Sequence, residues 1–138
     1  MSSDVNEANL QRACDAWNAR DIDGYLALYD DSIKLHGYSP EPMDKTAVRG
    51  LYEMIHRAFD GPKLTFHDVF SKGDRLAIRF TMTGTHRDQF RGVAPTGRRI
   101  SVDGITILRF SGGRCIERWS SVDMYGWLAQ IGAVSPLG

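Results

Sequence analysis

The chain has no surplus of either charge: 17 lysines and arginines stand against 17 aspartates and glutamates. A balanced surface gives a nucleic acid or an anionic membrane nothing to hold, so neither is expected as a partner. No run of about 18 apolar residues is present to span a bilayer. The opening MSSDVNEANLQ lacks the charged-then-apolar order of a secretion signal, and the expectation is a cytoplasmic protein. Cysteine is scarce. Cys14 and Cys115 stand alone with no CxxC spacing, which predicts two small core or surface thiols and no catalytic nucleophile. Also missing are GxGxxG after a strand, GxxxxGK[ST], HExxH and GxSxG, so nucleotide, zincin and serine-hydrolase chemistries lack their working parts. The four histidines, His36, His56, His67 and His86, have no local metal-ligand spacing. No metal or other cofactor is expected.

What is there is an ordinary globular composition, with 42% apolar and 25% charged residues, in a length that suits one domain over residues 1–138. Helical spacing of Ala8, Leu10, Ala13, Cys14 and Trp17 predicts a helix from Asn6 to Arg20. A short helix is predicted from a capping Asp23 through Tyr29, and a third from Lys45 to Phe59 with Val48, Leu51, Tyr52, Ile55 and Phe59 on one face. Between them, IKLHG reads as a short strand. After Pro62 the period changes to two, in KLTFHDVFSKGD, RLAIRFTMTGTH, RRISVDGITILRF and RCIERWSSVD, with KGD and SGG as hairpin turns. MYGWLAQIG closes the chain as a helical turn or two ended by Gly132. Helices followed by a strand meander predict an α+β fold, in which a curved antiparallel sheet wraps around the N-terminal helices and leaves a pocket.

Candidate residues follow from period two. His86 shares a strand face with Leu76, Ile78, Phe80 and Met82, which sets an imidazole at the rim of the covered face. His36 ends the first strand in register with Lys34. On the last strand, Cys115, Glu117, Trp119, Ser121 and Asp123 share one side, and Ile116, Arg118, Ser120 and Val122 the other. If the Trp119 side lines the pocket, Asp123 sits in partly apolar surroundings that raise its pKa and suit it to moving protons. If not, Asp123 caps the final helix. Spacing leaves the two equal. Trp17 and Tyr25 are core residues whose rings would also wall a flat ligand. The arginines of HRDQFRGVAPTGRR read as a solvated connection.

Taken together, WNARDIDGYLALYDDSIKLHG, the run G-T-H, F-x-G and P-T-G-R, and the ending G-R-x-x-E-x-W-x-x-x-D resemble the SnoaL-like polyketide cyclase, or ester cyclase, family. The resemblance covers nearly the whole chain. It implies a cone-shaped, cystatin-like α+β barrel of the nuclear transport factor 2-like superfamily, usually a homodimer. It also implies a cofactor-independent aldol cyclase or an isomerase acting on a small hydrophobic, polycyclic carbonyl compound. Carried over by motif, Asp123 would be the acid/base residue, with His86 assisting and His36, Trp119, Trp17 and Tyr25 lining the site. Cyclases of the family can carry a histidine where ITILRF has Leu108. The same superfamily holds hydroxylases, hydrolases and non-catalytic binding proteins, which remain alternatives.

Overall fold

The computed structural model describes residues 2–136. Three helices come early: α1 (Ser2–Asn18), α2 (Ile22–Leu26) and α3 (Lys45–Ala58). Five strands, β1 (Tyr29–His36), β2 (Phe59–Lys72), β3 (Arg75–His86), β4 (Arg99–Ser111) and β5 (Arg114–Val122), build the sheet, and α4 (Met124–Gln130) closes it. The sheet order is β1-β5-β4-β3-β2. From β2 to β5 it is an antiparallel meander, and β1 returns parallel to β5 with its outer edge bridged to Met43 at Leu35, so the sheet is not closed.

The helices sit where their sequences direct. On α1 the stripe Leu10, Ala13, Cys14 and Trp17 recurs at three- and four-residue intervals and is buried, packing on β2 and β3. Asp21, two residues ahead of the predicted cap, accepts the Gly24 amide at 2.9 Å and starts α2. Tyr29 leaves the helix and opens β1, which makes that strand longer than IKLHG alone suggests. Asp44 caps α3 by accepting from the Ala47 amide at 2.9 Å. The predicted stop at DGP is absorbed into β2, whose register shifts between Asp60 and Lys63.

The meander obeys period two on β3 and β4. Leu76, Ile78, Phe80 and Met82 point into the core, as do Ile100, Val102, Leu108 and Phe110. Gly104 pairs with Phe80, and a Cβ there would meet the Phe80 ring at 2.5 Å; the missing side chain lets that ring lie across the sheet. Strand β5 breaks the rule. Arg109 faces Glu117 but Phe110 faces Cys115, so β5 carries one extra residue at this point, a bulge. Cys115 and Arg118, three apart, are consequently both buried, and the grouping of Cys115 with Trp119 and Asp123 does not hold.

Candidate functional site

The bulge decides which side of β5 meets the helices. Arg118 turns inward, beneath Tyr25 of α2, Tyr29 of β1 and Tyr52 of α3, and only 7% of it is exposed. Its Nη1 donates to the hydroxyls of Tyr25 and Tyr29, each at 2.6 Å, and its Nε donates to Thr106 Oγ1 at 2.8 Å. Tyr29 and Tyr52 share a further bond of 2.6 Å. No carboxylate balances the cation: among the described residues no Asp or Glu is buried. Taking an ion out of water costs several kcal/mol unless a partner charge offsets it. The tyrosine hydroxyls offset part of that through charge-assisted bonds.

Burial drives the tyrosine pKa values well above the ordinary phenol range at Tyr29, with Arg118 pulling the other way. Tyr52 is likewise raised by burial and by its proximity to Tyr25, against the pull of Arg118. Burial alone disfavours the Arg118 cation, but its coupling to Tyr25, Tyr29, Tyr52 and Tyr38 holds the guanidinium proton more tightly than usual. At neutral pH the Arg118 cation therefore sits against Tyr29 and Tyr52 phenols that still carry their protons.

Above it lies a cavity of about 40 Å³, with Trp17, Tyr25, Tyr52, Phe80, Arg118 and Trp127 in its walls. Trp17 stands edge-on to Tyr25 (5.3 Å between centroids) and to Tyr52 (5.1 Å), an aromatic arrangement that fixes the rings. Tyr38, Leu64 and Val122, partly buried, also line it. Cavity water needs roughly 10–15 Å³ per molecule, so there is room for a carboxylate-sized group but not for a ring.

Of the sequence-derived candidates, Trp17 and Tyr25 are brought together here. The others lie elsewhere. Asp123 is exposed, and its Oδ1 accepts the Gly126 amide at 2.8 Å, capping α4. It borders an open groove on the outer sheet face with Arg79, Asp103 and Ser121. Trp119 is on that outer side too, stacked on His36 at 5.7 Å and 7° with the Arg75 guanidinium over its ring. His36 Nε2 meets Glu117 at 2.7 Å, and Glu117 also accepts from Arg109 at 2.9 Å. Those two bonds, Arg109 first, lower the Glu117 pKa. His86 is wholly buried, not at a rim. Its Nδ1 accepts the Thr96 amide at 3.2 Å, and its ring stacks on Phe59, which touches Phe90 and Trp127. It thus anchors the segment after β3 beside the Trp127 wall. The arginines of that segment, Arg87, Arg91, Arg98 and Arg99, are exposed.

Sequence reasoning missed Arg118, Tyr38 and Trp127 as lining residues. The available signal was the density of tyrosines, at positions 25, 29, 38 and 52, opposite a strand with a mid-strand arginine. No group of three or more His, Cys, Asp or Glu able to hold a metal occurs among the described residues.

Comparison with known proteins matches the profile described as SnoaL-like polyketide cyclase over residues 8–131. No curated protein matches. Among solved structures, AclR from Streptomyces galilaeus, a proposed hydroxylase, is 29% identical with a TM-score of 0.86, over 94% of this chain and 96% of that one. IdmH from Streptomyces antibioticus, a proposed polyketide cyclase, is 26% identical with a TM-score of 0.79, over 92% and 98%. TsrD from Streptomyces laurentii, at 22% identity and a TM-score of 0.84 over 94% and 96%, shares the fold.

Proposed function

Since the chain belongs to the SnoaL-like polyketide cyclase family, we propose that it is a cyclase- or isomerase-type enzyme that rearranges a hydrophobic carbonyl compound in the Arg118 cavity without a cofactor. The observation that carries this reading is the buried Arg118 cation, bonded to Tyr25 and Tyr29 and matched by no carboxylate. Ring closure and isomerisation next to a carbonyl both build negative charge on oxygen. A fixed cation and fixed hydroxyl donors in a water-poor site stabilise that charge without having to reorganise, and removing one such donor commonly costs about 10²–10³ in rate. The Tyr25 hydroxyl accepts from Arg118, which leaves its own O–H directed elsewhere, placed to donate to an oxygen at the same point. The aromatic walls exclude water and orient a flat substrate.

In this reading Asp123 and His86 act through the wall, not on the substrate. Asp123 caps the helix that carries Trp127, and His86 packs beneath it through Phe59. A polycyclic substrate requires the partly buried residues Tyr38, Leu64 and Val122 to part. A second reading, hydroxylation, is favoured by the similarity to AclR.

The test is to incubate the protein with polycyclic aromatic esters bearing an acyl side chain and to weigh the products. A new product of unchanged mass, formed about 10²-fold more slowly by Arg118→Met, is the expected result. Product heavier by one oxygen atom would favour hydroxylation, and full turnover by Arg118→Met would remove the assignment.

A further inference from the structure

The polar groups around the cavity offer protons and have little to accept them. Arg118 Nη1 donates to Tyr25 and Tyr29, and Tyr29 and Tyr52 share a single bond. Tyr25 therefore keeps a free hydroxyl proton. The Tyr29–Tyr52 pair keeps another, because two hydroxyl protons serve one bond. The indole N–H groups of Trp17 and Trp127, both in the cavity wall, are buried and have no partner among the described residues. Guanidinium Nη2 takes no part in the bonds that Nε and Nη1 make. Guanidinium and indole N–H groups never accept.

Among the lining residues there is also no carboxylate and no imidazole. Tyr29, Tyr38 and Tyr52 hold their protons, since burial raises them above the usual phenol range. A protein group that removes a proton from the substrate at neutral pH is not part of this wall. Five donors and a cation, with only tyrosine hydroxyl oxygens to accept and no counter-charge, form a receptor for an acceptor-only, negatively charged group.

Resting on the reading of this cavity as the reaction site, we propose that the substrate binds as a preformed anion, an oxygen anion conjugated to a planar π system such as a phenolate or a 1,3-dicarbonyl enolate. The anionic oxygen is recognised by Arg118 and the indole N–H groups of Trp17 and Trp127. The substrate gives its acidic proton to solvent before entry, so no base within the wall is required. The cavity of about 40 Å³ seats the charged oxygen and the atoms next to it. A cavity that holds a benzene ring needs on the order of 150 Å³, so the π system lies further out, between Trp17 and the rim at Tyr38 and Val122.

The probe is 4-nitrophenol, whose phenolate is coloured, with 4-nitroanisole as the neutral counterpart followed by quenching of tryptophan fluorescence. In the presence of excess protein the ionisation midpoint of 4-nitrophenol is expected to fall by about one pH unit or more, equivalent to a roughly tenfold preference for the anion. The anisole should bind about tenfold more weakly or worse. Arg118→Met should return the midpoint to its value in buffer, and Trp127→Phe, which keeps a ring but loses the N–H, should shrink the shift. An unshifted or raised midpoint with the wild-type protein, absence of binding by the phenolate, or a full shift in both variants would overturn the proposal. If Arg118→Met does not fold, Trp127→Phe and the wild-type midpoint decide. No turnover enters these measurements, so a protein that binds the anion yet converts no ester would contradict the catalytic reading alone.

Discussion

Arg118 and Tyr25 meet at 2.6 Å across 93 positions of sequence, the guanidinium on a sheet strand and the hydroxyl on a five-residue helix. Their contact joins the two layers of the domain at the floor of its cavity. With Tyr29 and Tyr52 they make a polar network inside an otherwise apolar core, where a fully bonded group is stabilising and a group deprived of its partner is costly.

Tyr29→Phe should be more damaging than the loss of one hydroxyl suggests. It removes an acceptor from Arg118 and the partner of Tyr52 together. Leaving buried polar groups unpaired costs about 1–3 kcal/mol, and denaturant unfolding should read a loss of that size. An unchanged midpoint would mean that water or a shift of Tyr25 replaces the missing oxygen.

Asp123 separates capping from proton transfer. Asp123→Ala removes the acceptor from the Gly126 amide and should cost about 0.5–2 kcal/mol of stability, while Asp123→Asn keeps a capping oxygen and should cost less. Turnover by Asp123→Asn is expected to stay close to that of the wild type. A drop of roughly 10²–10⁴ with unaltered melting would instead make Asp123 the acid/base residue.

His56 sets an acid limit on stability. It is buried against Trp17, at 4.3 Å between ring centroids, and neither ring nitrogen has a partner among the described residues. Burial, and then the nearby Arg20, lower its pKa from 6.5 to about 4. The unfolded chain therefore binds the proton more readily than the folded one. The neutral form supports the fold above pH 6.5, and that support is lost as the pH falls from there towards 4, by on the order of 2 kcal/mol. Melting curves across this range should show the decline, and His56→Leu should flatten it.

Gly37 holds the rim. Its φ of +113° is open to glycine alone, and a Cβ there would run into the Ser120 backbone carbonyl. Gly37→Ala should lower stability by roughly 2–4 kcal/mol or pull β1 away from β5. Either way Tyr38, the next residue and part of the cavity lining, is displaced. Tryptophan fluorescence from Trp17 and Trp127 together with a melting curve would register both effects.

Much of the architecture was legible in one dimension because it depends on local periods. Spacing of three and four placed Trp17 and Tyr52 on buried helix faces, and alternation placed Leu76, Ile78, Phe80 and Met82 together on the apolar face of their strand. The order of helices and strands was enough to expect helices on one side of a meander. The family resemblance was legible as well, through motifs at the two ends of the chain, and the profile match bears it out.

The site was not legible in the same way. Alternation along β5 separates Arg118 from Trp119 but does not say which of them faces inward, and both faces are mixed. A single bulged residue near Ile116 shifts the parity of everything before it relative to everything after it. Bulges arise from pairing with a neighbouring strand, and no residue of RCIERWSSVD announces one. The sequence by itself determined the helices, the strands and the stock of tyrosines and tryptophans. Only the tertiary structure decided that Arg118 goes in and Trp119 and Asp123 stay out, because facing is settled by register between strands and by what three separated helices bring above them.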